Sequence, residues 1–393
     1  MVCFPRKPGD PRIARGAHDP LQASVLVLDD GTQKAAVVCC DLCGIRRVDI
    51  DRIRSRVAGA VRALGDGRVL IACSHSHSSV ESLYLFGNTP EDTFIREMDE
   101  RIAGAVIAAD ADLEPVEFAF GAAPVELTHN RRVLGDDMRA TMTSEFQAGV
   151  TTGIVDPELA VLKVQTPDNR VKAVLFRYTA HSLTLGPENE LFTADYPGRA
   201  RREIETLSAG AMALFMNGAA GNVHPRECMR PDFTAMERIG QALGEAVVAV
   251  ADRAAPLAKP RLGFARDNLT FTNRVDPDLQ VDVELACLTL GPVVFGFVPG
   301  EVFVEFQLAF RRQLAPAHGV FVGYANGWPG YIPTRTAYDE GGYGVDLCTT
   351  DPPEYSRTAL PPGAGEALTE RLVELARQCA PDSPTGAPRE SPQ

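Results

Sequence analysis

Two imidazoles two residues apart are the first feature of this chain that could do chemistry. They stand in Cys73-Ser74-His75-Ser76-His77-Ser78-Ser79, directly after the apolar run 69–72. In an extended segment the side chains at i and i+2 face the same way, so His75 and His77 can point into one pocket. A lone buried histidine is more often a satisfied packing residue. A His-x-His where a buried strand runs out instead suits a metal site or a proton-transfer site. Only seven histidines occur in the 393 residues, so abundance does not explain the pair.

Further reactive groups stand where other apolar runs end. His181 closes the run 171–180. Asn217-Gly218-Ala219-Ala220-Gly221-Asn222-Val223-His224-Pro225 follows the run 211–216. Its small residues let backbone approach a ligand closely, and its amides could serve as oxyanion donors; a plain strand-to-loop turn is the bland alternative. Pro299-Gly300-Glu301 puts a carboxylate between an apolar run and a helical segment, where the helix dipole favours an anion. The segment 326–334 follows the run 320–324 and carries the sole tryptophan, Trp328. His129-Asn130-Arg131-Arg132 is a compact basic group, either a solvated patch or a holder of an anion or carbonyl oxygen. Strand ends collect such groups because the sheet fixes position while the loop gives access.

The elements that must position them alternate along the chain. Runs 21–29 and 33–40, split by Asp30-Gly31, have the pattern of a β-hairpin, because an Asp-Gly step supplies the positive φ its turn needs. Helical spacing follows at 48–64, a short apolar strand at 69–72 and a second helix at 91–109. Strands are expected at 157–164, 171–178, 211–216, 261–272, 281–290, 293–298 and 320–324. Helices are expected at 196–206, 232–251, 302–314 and 365–378. This is an α/β pattern, with mixed β-sheets layered with flanking helices. No linker divides it, so residues 1–380 are expected to form one domain, followed by a disordered Pro-, Ser- and Gly-rich tail at 381–393.

Composition bounds the function class. With 45% hydrophobic and 23% charged residues the chain can bury a large core, which excludes a disordered or fibrous protein. No apolar run reaches the roughly 18 to 20 residues of a membrane span. The first ten residues have cations but no apolar segment behind them, so no secretory signal is seen and a cytoplasmic location is expected. Most of the nine cysteines, including Cys39, Cys40, Cys73 and Cys287, sit in apolar runs, so reduced packing thiols and no cysteine zinc cluster are expected. The net charge of −13 argues against nucleic acid and anionic membranes as partners and leaves a small-molecule substrate. Nothing in the composition specifies an oligomeric state.

Taken in order, these segments resemble the catalytic domain of the neutral ceramidase family, zinc-dependent amide hydrolases. The likeness runs over about residues 16–347. It rests on His18-Asp19-Pro20-Leu21, Ser74-His75-Ser76-His77-Ser78, Asn130-Arg131, Asp195-Tyr196-Pro197-Gly198, the segment 218–225, Pro299-Gly300-Glu301 and Gly330-Tyr331-Ile332-Pro333-Thr334. The resemblance implies a zinc ion held by His75, His181, Glu301 and Tyr331. It also implies that His77 and Arg131 line the site beside the metal. The residues alone would make both His75 and His77 ligands; the resemblance makes one a ligand and the other a proton carrier.

The departures change the expected chemistry. Where the family has Gly-Asp-Val-Ser-Pro, this chain has Gly221-Asn222-Val223-His224-Pro225, so a serine-dependent scheme is not carried over. After Ser78 comes Ser79-Val80 in place of the family's Gly-Pro. No counterpart of the family's opening Ile-Thr-Pro-Pro-type strand or of its C-terminal domain is expected from these residues. The resemblance therefore implies a zinc-dependent hydrolase that cleaves an amide or ester by a metal-activated water. Arg131 or Tyr331 would support the carbonyl oxygen, and His77 or His224 would pass a proton to the leaving group. Without a basic membrane patch, a small or medium soluble N-acyl compound is expected in place of a sphingolipid. The alternatives are a true ceramidase, a non-catalytic ligand-binding relative, and a metal-free enzyme using His224 with Ser74 or Ser182.

Overall fold

Three β-sheets form from the apolar runs. The structure is a computed structural model and describes residues 12–83, 92–346 and 358–379, so the tail expected at 381–393 lies outside the described residues. The first sheet joins Ala23–Asp29, Lys34–Cys40 and Val69–Cys73 in that order. Its hairpin turn is closed by Asp30, whose Oδ1 accepts from the Thr32 and Gln33 amides, and by Gly31 at φ +81. The second sheet has the order Met212–Asn217, Val171–Tyr178, Glu158–Gln165, Glu117–Pro124, Ala255–Pro256. The third has the order Leu262–Thr272, Gln280–Leu290, Val293–Phe297, His318–Val322.

Alternate residues of all three sheets meet in one shared core. Val37, Leu70, Leu162, Leu175, Leu214, Leu288, Phe295 and Val320 belong to it. The residues between them face helices. Val38 and Ile71 pack with Ile50 and Ile53 of Arg47–Ala60 and with Ile102 of Asp92–Ala111. Phe176 and Phe215 pack with Ile204 of Asp195–Leu207 and Leu243 of Thr234–Ala251. Leu285 and Phe321 pack with Phe310 of Val304–Leu314 and Leu372 of Ala364–Cys379. Burial on both faces is why strands such as Lys34–Cys40, Val69–Cys73 and Val293–Phe297 read as continuous apolar runs and not as alternating ones.

Each sheet contains one parallel pair that includes a strand leading into a reactive segment. These are Lys34–Cys40 with Val69–Cys73, Val171–Tyr178 with Met212–Asn217, and Val293–Phe297 with His318–Val322. The carboxyl ends of the three pairs are laced together. The Cys73 amide donates to Tyr324 O at 3.1 Å, and the Asn326 amide to Ile71 O at 2.8 Å. Asn217 Nδ2 and Ser182 Oγ both donate to Ser74 O, at 3.0 and 2.6 Å. Ligand sites in α/β proteins are built at such carboxyl ends.

Two departures from the expected elements bear on the site. The strand Glu117–Pro124 was not expected; only Phe118 and Phe120 among its residues are large and apolar. The helix expected at 302–314 begins at Val304, because Glu301–Val302 instead pairs in parallel with Tyr331–Ile332. Glu301 therefore precedes the helix, and Glu305 is the acid of its first turn. Among the described residues no helix is long and apolar enough to cross a membrane.

Candidate metal centre

His75 and His181 arrive from two different sheets with the same local device. His75 follows Val69–Cys73 in a left-handed backbone conformation, φ +64, which a bulky residue adopts only where its surroundings enforce it. Its amide donates to Leu42 O at 2.9 Å, and its Nδ1–H donates to Cys43 O at 2.7 Å. His181 follows Val171–Tyr178, and its Nδ1–H donates to Ala220 O at 2.7 Å. With the proton of each neutral ring committed to a backbone carbonyl, each Nε2 carries a lone pair.

Both lone pairs face one carboxylate. Glu301 Oε2 lies 3.4 Å from His75 Nε2 and 3.2 Å from His181 Nε2, and the three groups offer ligand atoms within 4.8 Å of one another. His181 Nε2 and Glu301 Oε2 are buried with no hydrogen-bond donor. A buried polar atom left unsatisfied costs about 1–3 kcal/mol. A cation among these acceptors removes that cost, so the residues present fit a metal ion. Two imidazole nitrogens and a carboxylate are also a donor set that zinc accepts. Burial, helped by the nearby Arg131 charge, pushes His181 down to about 4, so its ring is neutral at ordinary pH.

Tyr331 is brought beside Glu301 by the two-residue parallel pairing. Its hydroxyl lies against the Glu301 carboxylate and accepts from Arg131 Nη2 at 3.0 Å; burial holds its pKa well above the usual phenol value. His77 is half-buried, with Nε2 3.2 Å from His75 Nε2, and burial pushes it well below the usual imidazole range. The neighbouring rings of His75 and His181 push it the same way.

Arg131 reaches the centre from the short strand Thr128–Asn130, which pairs with Val223–Pro225. Its guanidinium donates to Gly221 O and, at 3.0 Å, to His224 Nε2, and lies 4.8 Å from the Tyr343 ring. Gly221 must be glycine here, since a Cβ would stand 2.3 Å from Glu301 O. His224 has its other nitrogen 3.3 Å from Cys228 Sγ. Both ring nitrogens are thus engaged, which leaves none for Ser74 or Ser182; Ser182 Oγ donates to Ser74 O instead.

Three features escape sequence reasoning or correct it. Tyr324 stacks on His75 with ring centroids 4.2 Å apart, and only its place at the end of an apolar run hinted at this. Cys40 and Cys43 form a Cys-x-x-Cys spacing that an expectation of purely packing thiols passes over. Cys43 forms a second possible ligand group with His75 and His77, but its sulfur lies 3.5 Å from His75 Nδ1, the nitrogen already committed to Cys43 O. The inward-facing set with His181 and Glu301 is therefore the better cage. Lastly, His18 and Asp19 anchor structure away from this cluster. His18 stacks on Phe233, and Asp19 accepts from the Ala194 amide at the head of Asp195–Leu207.

No protein-family model and no curated protein matches the sequence. Solved structures do match the fold, among them two ceramidases. A ceramidase complexed with C2 superposes with a TM-score of 0.77 at 16% identity, covering 97% of this chain and 73% of that one. The neutral ceramidase from Pseudomonas aeruginosa gives 0.73 at 16% identity, covering 95% and 71%. The chain has a ceramidase-like catalytic-domain fold, of mixed α/β class.

Proposed function

We propose that this protein is a zinc-dependent hydrolase that cleaves the amide, or ester, bond of a small or medium-sized N-acyl compound. His75, His181, Glu301 and Tyr331 would hold the ion. The observation that carries this reading is the set of buried acceptors facing one another, His75 Nε2, His181 Nε2 and Glu301 Oε2, of which the last two have no hydrogen-bond donor. The ceramidase-like fold supports it. Bound there, zinc supplies a Lewis acid for the substrate carbonyl and lowers the pKa of water toward about 7.

The chain's own groups supply the rest. Arg131 is a fixed cation beside Tyr331, suited to donate to a carbonyl oxygen as it gains negative charge. Losing one donor of that kind slows turnover by roughly 10²- to 10³-fold. His77, neutral and half-buried at the edge of the cluster, can take up a proton and hand it to the leaving nitrogen, a role worth roughly 10²- to 10⁴-fold. No serine is required, and position 224 offers none. The charge of −13 suits a cytoplasmic, non-membrane substrate better than one held in an anionic bilayer.

Replacement of the family serine by His224 favours one second reading, a ligand-binding protein that keeps the centre without turnover. Fluorogenic short-chain acyl amides and esters, assayed with and without a chelator, separate the two. The hydrolase loses turnover on chelation and regains it with zinc, whereas zinc binding without chelator-sensitive turnover marks the binding protein. Zinc content should fall in both His75→Ala and His181→Ala; unchanged content in both rejects the assignment.

A further inference from the structure

The imidazole at position 224 is locked between a donor and an acceptor. Arg131 Nη1 lies 3.0 Å from His224 Nε2. A guanidinium has donors only, so Nε2 must offer its lone pair and the proton of the neutral ring must sit on Nδ1. That nitrogen faces Cys228 Sγ at 3.3 Å, and the Cys228 thiol sends its own hydrogen to Ser144 O at 2.6 Å. The sulfur is thereby free to accept from Nδ1–H. The donors run in one direction from Arg131 through His224 and Cys228 to the Ser144 carbonyl.

From this chain we infer that His224 is a positioning residue: it accepts from Arg131 and aims the guanidinium, and Cys228 sets the tautomer that lets it accept. His224 is therefore not the proton carrier that the sequence suggests. Its Nε2 lone pair is occupied by Arg131, and its Nδ1 hydrogen points away toward sulfur. Holding Nη1 leaves Nη2 to Gly221 O and the Tyr331 hydroxyl. The backbone fastens both ends of the chain, because the Thr143 amide donates to Arg131 O at 2.8 Å one residue before Ser144. Its three side chains are buried, Arg131 at 3%, His224 at 0% and Cys228 at 2% exposure. Burial also pushes the Cys228 thiol up to about 12, which keeps its hydrogen in place. The inference goes beyond the hydrolase reading, since the chain needs neither metal nor substrate.

Long-range ¹H–¹⁵N correlation on ¹⁵N-histidine-labelled protein reads the tautomer directly, with the His224 signals identified by their loss in His224→Gln. A protonated Nδ1 and an unprotonated Nε2 are expected. They should persist in Cys228→Ser, whose hydroxyl can also donate and accept, and give way to a mixture of tautomers in Cys228→Ala. A protonated Nε2 in the parent protein overturns the inference. Turnover of a short-chain acyl p-nitroanilide gives a second arm. His224→Gln keeps an acceptor near the Nε2 position and should stay within roughly tenfold of the parent, whereas His224→Ala should lose roughly 100-fold through a misplaced guanidinium. Equal loss in the two folded variants would restore the proton carrier and overturn the inference. If no substrate is turned over, the hydrolase reading fails while the tautomer measurement still decides the role of His224.

Discussion

What gives His75 its role is the backbone carbonyl that its second ring nitrogen meets. The spacing places both imidazoles at a strand end, but the Cys43 carbonyl, accepting from Nδ1–H, turns the lone pair of His75 inward, and an acceptor at residue 43 leaves no trace in the sequence. The same holds for His181 and the Ala220 carbonyl. Residue types were legible; the tautomers that give them roles were not. One consequence concerns pH. Burial lowers the folded-state pKa of His181 to about 4, while the unfolded ring titrates near 6.5. Its contribution to stability is then full above 6.5 and lost as the pH falls toward 4. A histidine NMR titration of the metal-free protein should find this ring neutral down to about pH 4; an inflection near 6.5 would contradict the buried geometry.

The elements that carry these residues were mostly legible because their apolar runs are long. The strand Glu117–Pro124 was not, since between its ends it holds, beyond Phe118 and Phe120, only the small residues Ala119, Gly121, Ala122 and Ala123, and no β-branched one. Nor was the pairing of Glu301–Val302 with Tyr331–Ile332, because two residues are too few to show a period. The helix Val304–Leu314 depends on a cap from elsewhere. Phe303 provides none, and Asn222 Oδ1 accepts from the Val304 amide at 2.9 Å while its Nδ2 donates to Glu305 at 3.0 Å. The chain's departure from an aspartate at this place follows, as a second carboxylate would face Glu305 with no hydrogen to give. Asn222→Asp should lower stability by about 1–3 kcal/mol in urea unfolding; parent-like stability would mean that the cap does not depend on the amide. Gly221→Ala, pushed against Glu301 O, should reduce zinc content as well as stability. Retained zinc would show that the Glu301 backbone can yield.

At the scale of the whole molecule, one face of each of the three sheets contributes to a shared core, while the other face packs against that sheet's own helices. The α/β class was legible from the alternation of segments. The association of the sheets was not, because strands buried on both faces do not say which face meets which neighbour. Leu175 lies in the shared core, and Leu175→Ala should cost about 2–5 kcal/mol and shift a single unfolding transition. Two separate calorimetric transitions, only one of them displaced, would mean that the sheets unfold independently. The shared core also holds three strand ends against one another, and on that convergence the proposed centre depends. Anomalous X-ray scattering across the zinc edge, on crystals grown from zinc-loaded protein, tests it most directly. The expected result is one strong peak within bonding distance of His75 Nε2, His181 Nε2, the Glu301 carboxylate and the Tyr331 hydroxyl. No peak there, or zinc bound only elsewhere on the chain, would contradict the proposed centre.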